Sequence, residues 1–178
     1  MESAPDIQAA AVVYRYDVDD RLALADFARE LADSGCRLGG MVQESAFDEQ
    51  GRRTQIDSVD LASGERVIIN QPGRLPPGAR ECTLDTAALA DASAPLRRAL
   101  VDRPDLVIAE KFGDQEEIGA GLADDILAVI AEGLPILVLV PEPALDRWRE
   151  VTGGDVPELP CDAGALRRWW HDRSAGKS

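Results

Sequence analysis

Basic residues are scarce: 19 Lys and Arg stand against 33 Asp and Glu among 178 residues, a net charge of -14. A field of that sign repels nucleic acid and anionic membranes, so neither is expected as a partner. No apolar run approaches the ~18 residues of a membrane span, and no basic segment followed by a hydrophobic core opens the chain. No membrane insertion is therefore expected, and the chain reads as cytoplasmic. Cysteine is limited to Cys36, Cys82 and Cys161. An odd number of distant thiols without Cys-x-x-Cys spacing indicates neither a disulfide framework nor a zinc site, and leaves three reduced, packed thiols. His171 is the only histidine, late in the last expected helix, and is read as a surface residue near a helix end. No serine-histidine-acid or cysteine-histidine set can be assembled around it, which argues against acyl transfer.

What the sequence does contain is an alternation of buried strands and amphipathic helices. The length suits one domain, residues 1–178, with a core at about 7–154, a hairpin insertion at about 46–80 and a C-terminal helix at about 162–171. Ile7 to Tyr14 reads as a buried first strand. A helix follows a turn over Arg15 to Asp20, with Asp19 or Asp20 as its cap. Leu24, Phe27, Ala28 and Leu31 form its inward face and Gly35 its end. Leu38 to Gln43 is a short second strand in which Gly39 and Gly40 permit close backbone approach. Gln55 to Leu61 and Arg66 to Asn70, joined by Ala62-Ser-Gly-Glu65, form an antiparallel hairpin. Gln71 to Arg80 is too rich in proline and glycine for regular structure. A helical region runs from about Thr86 to Val101, broken near Ser93-Ala-Pro95, where Ser93 can cap the second segment.

Leu106, Val107, Ile108 and Ala109 are apolar without alternation, as a strand covered on both faces requires. Leu122, Ile126, Val129 and Ile130 mark a helix stopped by Gly133, and Ile136 to Val140 a second buried strand. A short helix over Leu145 to Val151 packs Trp148, Gly153 to Pro160 is a loop, and Asp162 caps a last helix carrying Leu166, Trp169 and Trp170. The tail is expected to fray from Asp172. The sum is an α/β fold: a doubly wound, mostly parallel sheet with an antiparallel β-hairpin insertion.

In such sheets ligands sit beyond the carboxyl ends of the strands. Glu110, Lys111 and the loop to Gly121 are therefore the first place to look, with Gln43 and Glu142 on the same rim. Lys111 and Lys177 are the only lysines. Lys111 can hold an anion with the amides of Gly113, Gly119 and Gly121, or can simply pair with Glu116 or Glu117. Phe112 plugs the sheet edge or stacks on a base. Glu110, Asp114, Glu116 and Glu117 are candidate carboxylates for a divalent cation. The first turn, Tyr14-Arg-Tyr-Asp-Val-Asp-Asp-Arg21, contains no glycine, no lysine and no serine or threonine to follow one. A loop of the Gly-x-x-x-x-Gly-Lys-Ser/Thr kind is thus missing, and Arg15 or Arg21 would have to replace its lysine.

The order of elements, the Ser63-Gly64-Glu65 turn, and Asp105-Leu-Val-Ile-Ala-Glu-Lys-Phe-Gly113 with Gln115, Glu116, Gly119 and Gly121 resemble a bacterial domain-of-unknown-function family. That family looks like a branch of the P-loop nucleoside-triphosphatases, and its members often occur beside molybdate-transport genes. The resemblance implies a P-loop NTPase-like fold with a degenerate phosphate loop. It also implies a magnesium-associated acid at the position of Glu110. The expected function is small-anion or nucleotide binding in a regulatory role linked to molybdenum. The ligand-binding residues would be Arg15, Arg21, Gln43, Lys111, Phe112, Gly113, Gln115, Gly119 and Gly121, and Mg2+ would accompany a bound nucleotide. One alternative is a nucleoside-triphosphate hydrolase with a non-standard loop, using Glu110 and Glu116. Another is a protein-interaction module working through Gln71 to Arg80 and the hairpin, whose unpaired edge also leaves room for a homodimer.

Overall fold

The computed structural model describes residues 7–15, 22–70, 93–110 and 123–175. In chain order the elements are β1 (Ala9–Tyr14), α1 (Leu22–Asp33), β2 (Leu38–Phe47), β3 (Arg53–Asp60), β4 (Arg66–Asn70), α2 (Ala94–Asp102), β5 (Leu106–Glu110) and α3 (Ala123–Ala131). They continue with β6 (Ile136–Pro141), a 3-10 turn (Glu142–Ala144) leading into α4 (Leu145–Thr152), β7 (Glu158–Pro160) and α5 (Ala163–Ala175). One seven-stranded sheet joins the strands in the order β4-β3-β2-β5-β6-β1-β7. From β2 to β7 every neighbouring pair is parallel, while β3 and β4 add an antiparallel hairpin outside β2.

The unbroken apolar runs of β1, β5 and β6 follow from their position at the sheet centre. All five residues of β5 and all six of β6 are buried. Alternate residues feed two cores. Ala10, Val12, Leu106, Ile108, Leu137 and Leu139 pack on the α1 and α5 side with Leu24, Phe27 and Leu166. Ala9, Ala11, Val107, Ala109, Ile136 and Val138 pack on the other side with Leu96 of α2, Ile126 and Val129 of α3, and Trp148 of α4. Each fully buried Leu, Ile or Val contributes about 1.5–3 kcal/mol. The helices on both faces cover the apolar side chains of the central strands and leave their carboxyl ends open.

Two glycines are fixed by geometry. Gly40 has φ +85°, and a Cβ there would lie 2.0 Å from the Ile108 carbonyl oxygen, so β2 approaches β5 closely only because this side chain is missing. Gly133 ends α3 in the left-handed region at φ +70° with open space around it.

Four elements differ from the sequence reading. β2 does not stop at Gln43 but runs to Phe47, because Glu44 to Phe47 keep pairing with β3. Its last residues, Ala46 and Phe47, and Thr54 opposite them are exposed, so the end of the strand needs no apolar alternation and its sequence concealed it. The span from Gly153 to Pro160 is not all loop: its last residues form β7, held to β1 by Ala11 N–H on Pro157 O at 2.8 Å and Cys161 N–H on Val13 O at 3.2 Å. Ser93 holds the N-cap position of α2 as expected, but its hydroxyl makes no cap bond and instead accepts from the Arg97 guanidinium. The last helix does not fray at Asp172 but reaches Ala175, tied back by Arg173, which lies 4.3 Å from the Trp169 ring centre and donates to Ile7 O at 2.5 Å. Asp162 does cap α5, accepting from Ala165 N–H at 3.0 Å. The caps at Asp19 or Asp20, Cys82, and the first part of the helical region from Thr86 lie outside the described residues.

Candidate functional site

Glu110 closes β5, and its position is set from three sides. Strand alternation puts its side chain on the same face as Leu106 and Ile108, under α1 and α5. It is buried, with 7% of its surface exposed. Its Oε2 accepts the main-chain N–H of Gln43 at 2.7 Å. Among the described residues β5 pairs with β2 from Leu38 to Met41, and this side-chain bond joins the two strands beyond that ladder. A charge-assisted bond of this kind is about twice as strong as a neutral one and fixes the side chain's direction.

The end of β1 forms the second part of the rim. Tyr14 pairs in register with Pro141, which brings Arg15 beside Glu142, Nε to Oε2 3.6 Å. Behind them lies a cavity of about 500 Å3 between the ends of β1 and β7 and the starts of α4 and α5, lined by Tyr14, Leu145, Leu159, Cys161 and Asp162 among others. Glu158 borders it but is committed elsewhere, joined to Arg149 by two bonds of 2.7 and 2.9 Å. Those bonds hold the Glu158 carboxyl below the usual glutamate range and raise the Arg149 guanidinium. A further cavity of about 370 Å3, bordered by Cys36, Arg37 and Arg98, opens at the opposite, amino-terminal end of β2. Ligands of open α/β sheets bind at carboxyl ends, so the β1 cavity is the candidate.

Glu110 is level with Leu139, and Leu139 with Val12. Two strand spacings of ~4.8 Å and a two-residue step of ~3.3 Å each separate Glu110 from Tyr14 by about 12 Å between Cα atoms. At that distance Glu110 would meet a ligand seated after β1 only through an intervening metal ion or water. Among the described residues no group of three or more His, Cys, Asp or Glu side chains could hold a metal ion by itself. A magnesium ion taking one protein carboxylate plus ligand phosphates and waters is compatible with a lone Glu110.

Of the residues singled out in the sequence, Arg15, Gln43, Glu110 and Glu142 fall on this rim, although Gln43 contributes its main chain. Arg21, Lys111, Phe112, Gly113, Asp114, Gln115, Glu116, Glu117, Gly119 and Gly121 lie outside the described residues, as does Gln71 to Arg80. His171 is exposed on α5, its Nδ1 3.9 Å from Asp172, away from the rim. Tyr14, Leu145, Cys161 and Asp162 were not anticipated as cavity residues. They converge through β7, whose three residues carried no strand signal.

A family model described as a protein of unknown function, DUF2478, matches residues 9–169. The chain is 39% identical over 168 residues to a molybdenum import ATP-binding protein, ModC 2, of Bradyrhizobium diazoefficiens. That match takes in 94% of the chain but spans only 18% of the relative's length. Among solved structures, a human cancer-related nucleoside triphosphatase superposes with TM-score 0.64 at 20% identity, over 96% of this chain and 97% of the other. THEP1 from the hyperthermophile Aquifex aeolicus gives 0.61 at 15% identity, over 92% and 95%. The chain shares the fold of these two proteins, a mostly parallel α/β sheet with helices on both faces.

Proposed function

Since the chain belongs to the DUF2478 family of proteins of unknown function, we propose a function from its rim: binding of a nucleotide or small anion in a regulatory role linked to molybdenum metabolism, without a phosphate loop of the usual kind. The observation that carries this reading is the β1 cavity, with Arg15 at its mouth and a buried carboxylate two strands away. Arg15 supplies the guanidinium that a phosphate needs where the sequence has no lysine. Glu110 supplies a contact for Mg2+ or for a water on it. The molybdenum link is supported by the name of the molybdenum import relative.

Thermal shift against ATP, GTP, ADP, phosphate, molybdate and tungstate, each with and without Mg2+, tests the reading. A ligand at 100 times its Kd stabilises by about 2.7 kcal/mol. No shift with any of them overturns it. A second reading, hydrolysis of a nucleoside triphosphate, is favoured by one feature, the placement of a buried acid at the end of β5 with β6 between it and β1. Magnesium-dependent turnover lost in both Glu110→Gln and Glu116→Gln supports it, and turnover indifferent to both excludes those roles. A homodimer belongs to the same proposal: β4 is the sheet's outer strand and its Ile68 is 48% exposed. Sedimentation velocity of Ile68→Lys against the parent checks that edge, and identical behaviour of the two proteins removes it.

A further inference from the structure

β2 does more than pair with β5. After Met41 it continues with β3 alone, as a ribbon ending in the turn Asp48 to Arg52. The ribbon is braced along its length. Asp48 accepts the N–H groups of Gln50 and Arg52, both at 2.9 Å, and the Arg52 side chain, also at 2.9 Å. Arg66 of β4 reaches across to Glu44 at 2.6 Å and Asp57 at 3.5 Å. These contacts close the turn on itself and tie β4 to β2 and β3. Among the described residues, the Gln43 N–H joins the ribbon to the end of β5 by its bond to Glu110.

We infer that the main-chain amide of Gln43 positions Glu110 for its ligand, and that the β2–β3 ribbon is thereby coupled to occupancy of the rim. The inference rests on the ligand-binding reading above. A carboxylate offers about four lone-pair sites on two oxygens, so one can stay on Gln43 while another turns to a metal ion or its water. The amide selects the rotamer that does this. Coupling of this kind is reciprocal: a ligand that needs the bonded rotamer tightens the bond, and whatever moves the ribbon changes affinity for the ligand. Gln43 is a positioning residue, acting through Glu110 and through its backbone.

Proline at position 43 deletes the donor while leaving Glu110 in place. With magnesium-ADP as the probe, calorimetry of Gln43→Pro, Glu110→Gln and the double variant forms a cycle. Gln43→Pro is expected to weaken binding at least tenfold in the parent and less than twofold in the Glu110→Gln background. An equal loss in both backgrounds means general damage to the strand and overturns the inference. Should the proline variant not fold, hydrogen exchange decides. Saturating magnesium-ADP is expected to slow exchange of the Gln43 amide at least tenfold in the parent and in Gln43→Ala, which keeps the N–H, and not in Glu110→Ala. Uptake of magnesium-ADP by the parent with unchanged exchange at position 43 overturns the coupling alone. A parent that takes up no magnesium-nucleotide overturns both the coupling and the nucleotide reading beneath it.

Discussion

Replacing Gly40 by alanine adds one methyl group at the contact between β2 and β5, and the structure gives its cost. The new Cβ would stand 2.0 Å from the Ile108 oxygen and 3.0 Å from the Ile108 carbon and nitrogen, all backbone atoms that cannot rotate away. Holding φ near +85° with a side chain costs about 1–2 kcal/mol. Relieving the clash means pushing β2 off the ladder from Leu38–Leu106 to Met41–Ala109 and disturbing the Leu61 N–H bond to Gly40 O at 3.0 Å. Overpacking of that sort adds about 1–3 kcal/mol. The total, about 2–5 kcal/mol, is a large share of the roughly 5–15 kcal/mol that holds a domain together. For a chain of this size it lowers Tm by roughly 6–15 °C. Gly133→Ala is the control, since it meets the same conformational cost at φ +70° with nothing within 4 Å. It should lower Tm by roughly 3–6 °C. Circular-dichroism melts of the two variants against the parent suffice. Equal decreases would show that β2 and β5 are not in close contact at Gly40, and the positioning of Glu110 by β2 would fall with that contact.

Three further outcomes are expected. Arg15→Gln should change stability by less than about 1 kcal/mol, since Arg15 and Glu142 are 62% and 59% exposed. It should nevertheless weaken ADP or phosphate binding about tenfold, whereas Glu142→Gln, which removes the competing carboxylate, should tighten it; calorimetry showing neither change removes Arg15 from the site. Asp60 is buried and receives the Ala62 N–H at 2.8 Å, the Ser63 N–H at 3.3 Å and the Arg98 guanidinium. Asp60→Ala leaves those donors without their acceptor and should cost about 2–3 kcal/mol in urea unfolding; a loss under about 1 kcal/mol would mean that water replaces the carboxylate. Glu158, lowered by its hydrogen bonds from Arg149, contributes stability that is present above the ordinary glutamate pKa and is lost as pH falls through the lower folded value. Arg149→Gln should therefore flatten the acid side of the Tm–pH curve, and superimposable curves would show that the pair does not link α4 to β7.

The architecture was legible because burial writes itself into composition. Residues 106–109 and 136–140 sit between covered faces, so nothing but apolar side chains fits, and the run announces the strand. Gly39 and Gly40 announced the close approach because no other residue could make it. The ends of the sheet have no such constraint. β7 needs only three residues of main chain beside β1, bounded by Pro157 and Pro160, and its side chains are largely exposed. The end of β2 from Ala46 is exposed, so nothing in that stretch marked the strand as continuing.

The same distinction explains what was and was not visible of the candidate site. Glu110 was found from its place at the end of a buried strand, since a charge abutting four apolar residues is a boundary that sequence displays. What holds Glu110 is the amide of a residue 67 positions earlier, and an amide is common to every residue but proline. No side-chain pattern could single out position 43 as its donor. The side chain of Gln43 drew attention to the right residue for a different reason, its place on the rim. Main-chain positioning of this kind depends only on where β2 runs, and that course depends on Gly40. A glycine with no functional group thus stands upstream of the one buried carboxylate on the described rim. Gly40→Ala, even at a temperature where the variant remains folded, should therefore also weaken a magnesium-nucleotide complex that needs Glu110. Affinity retained in that folded variant would separate the strand contact from the site.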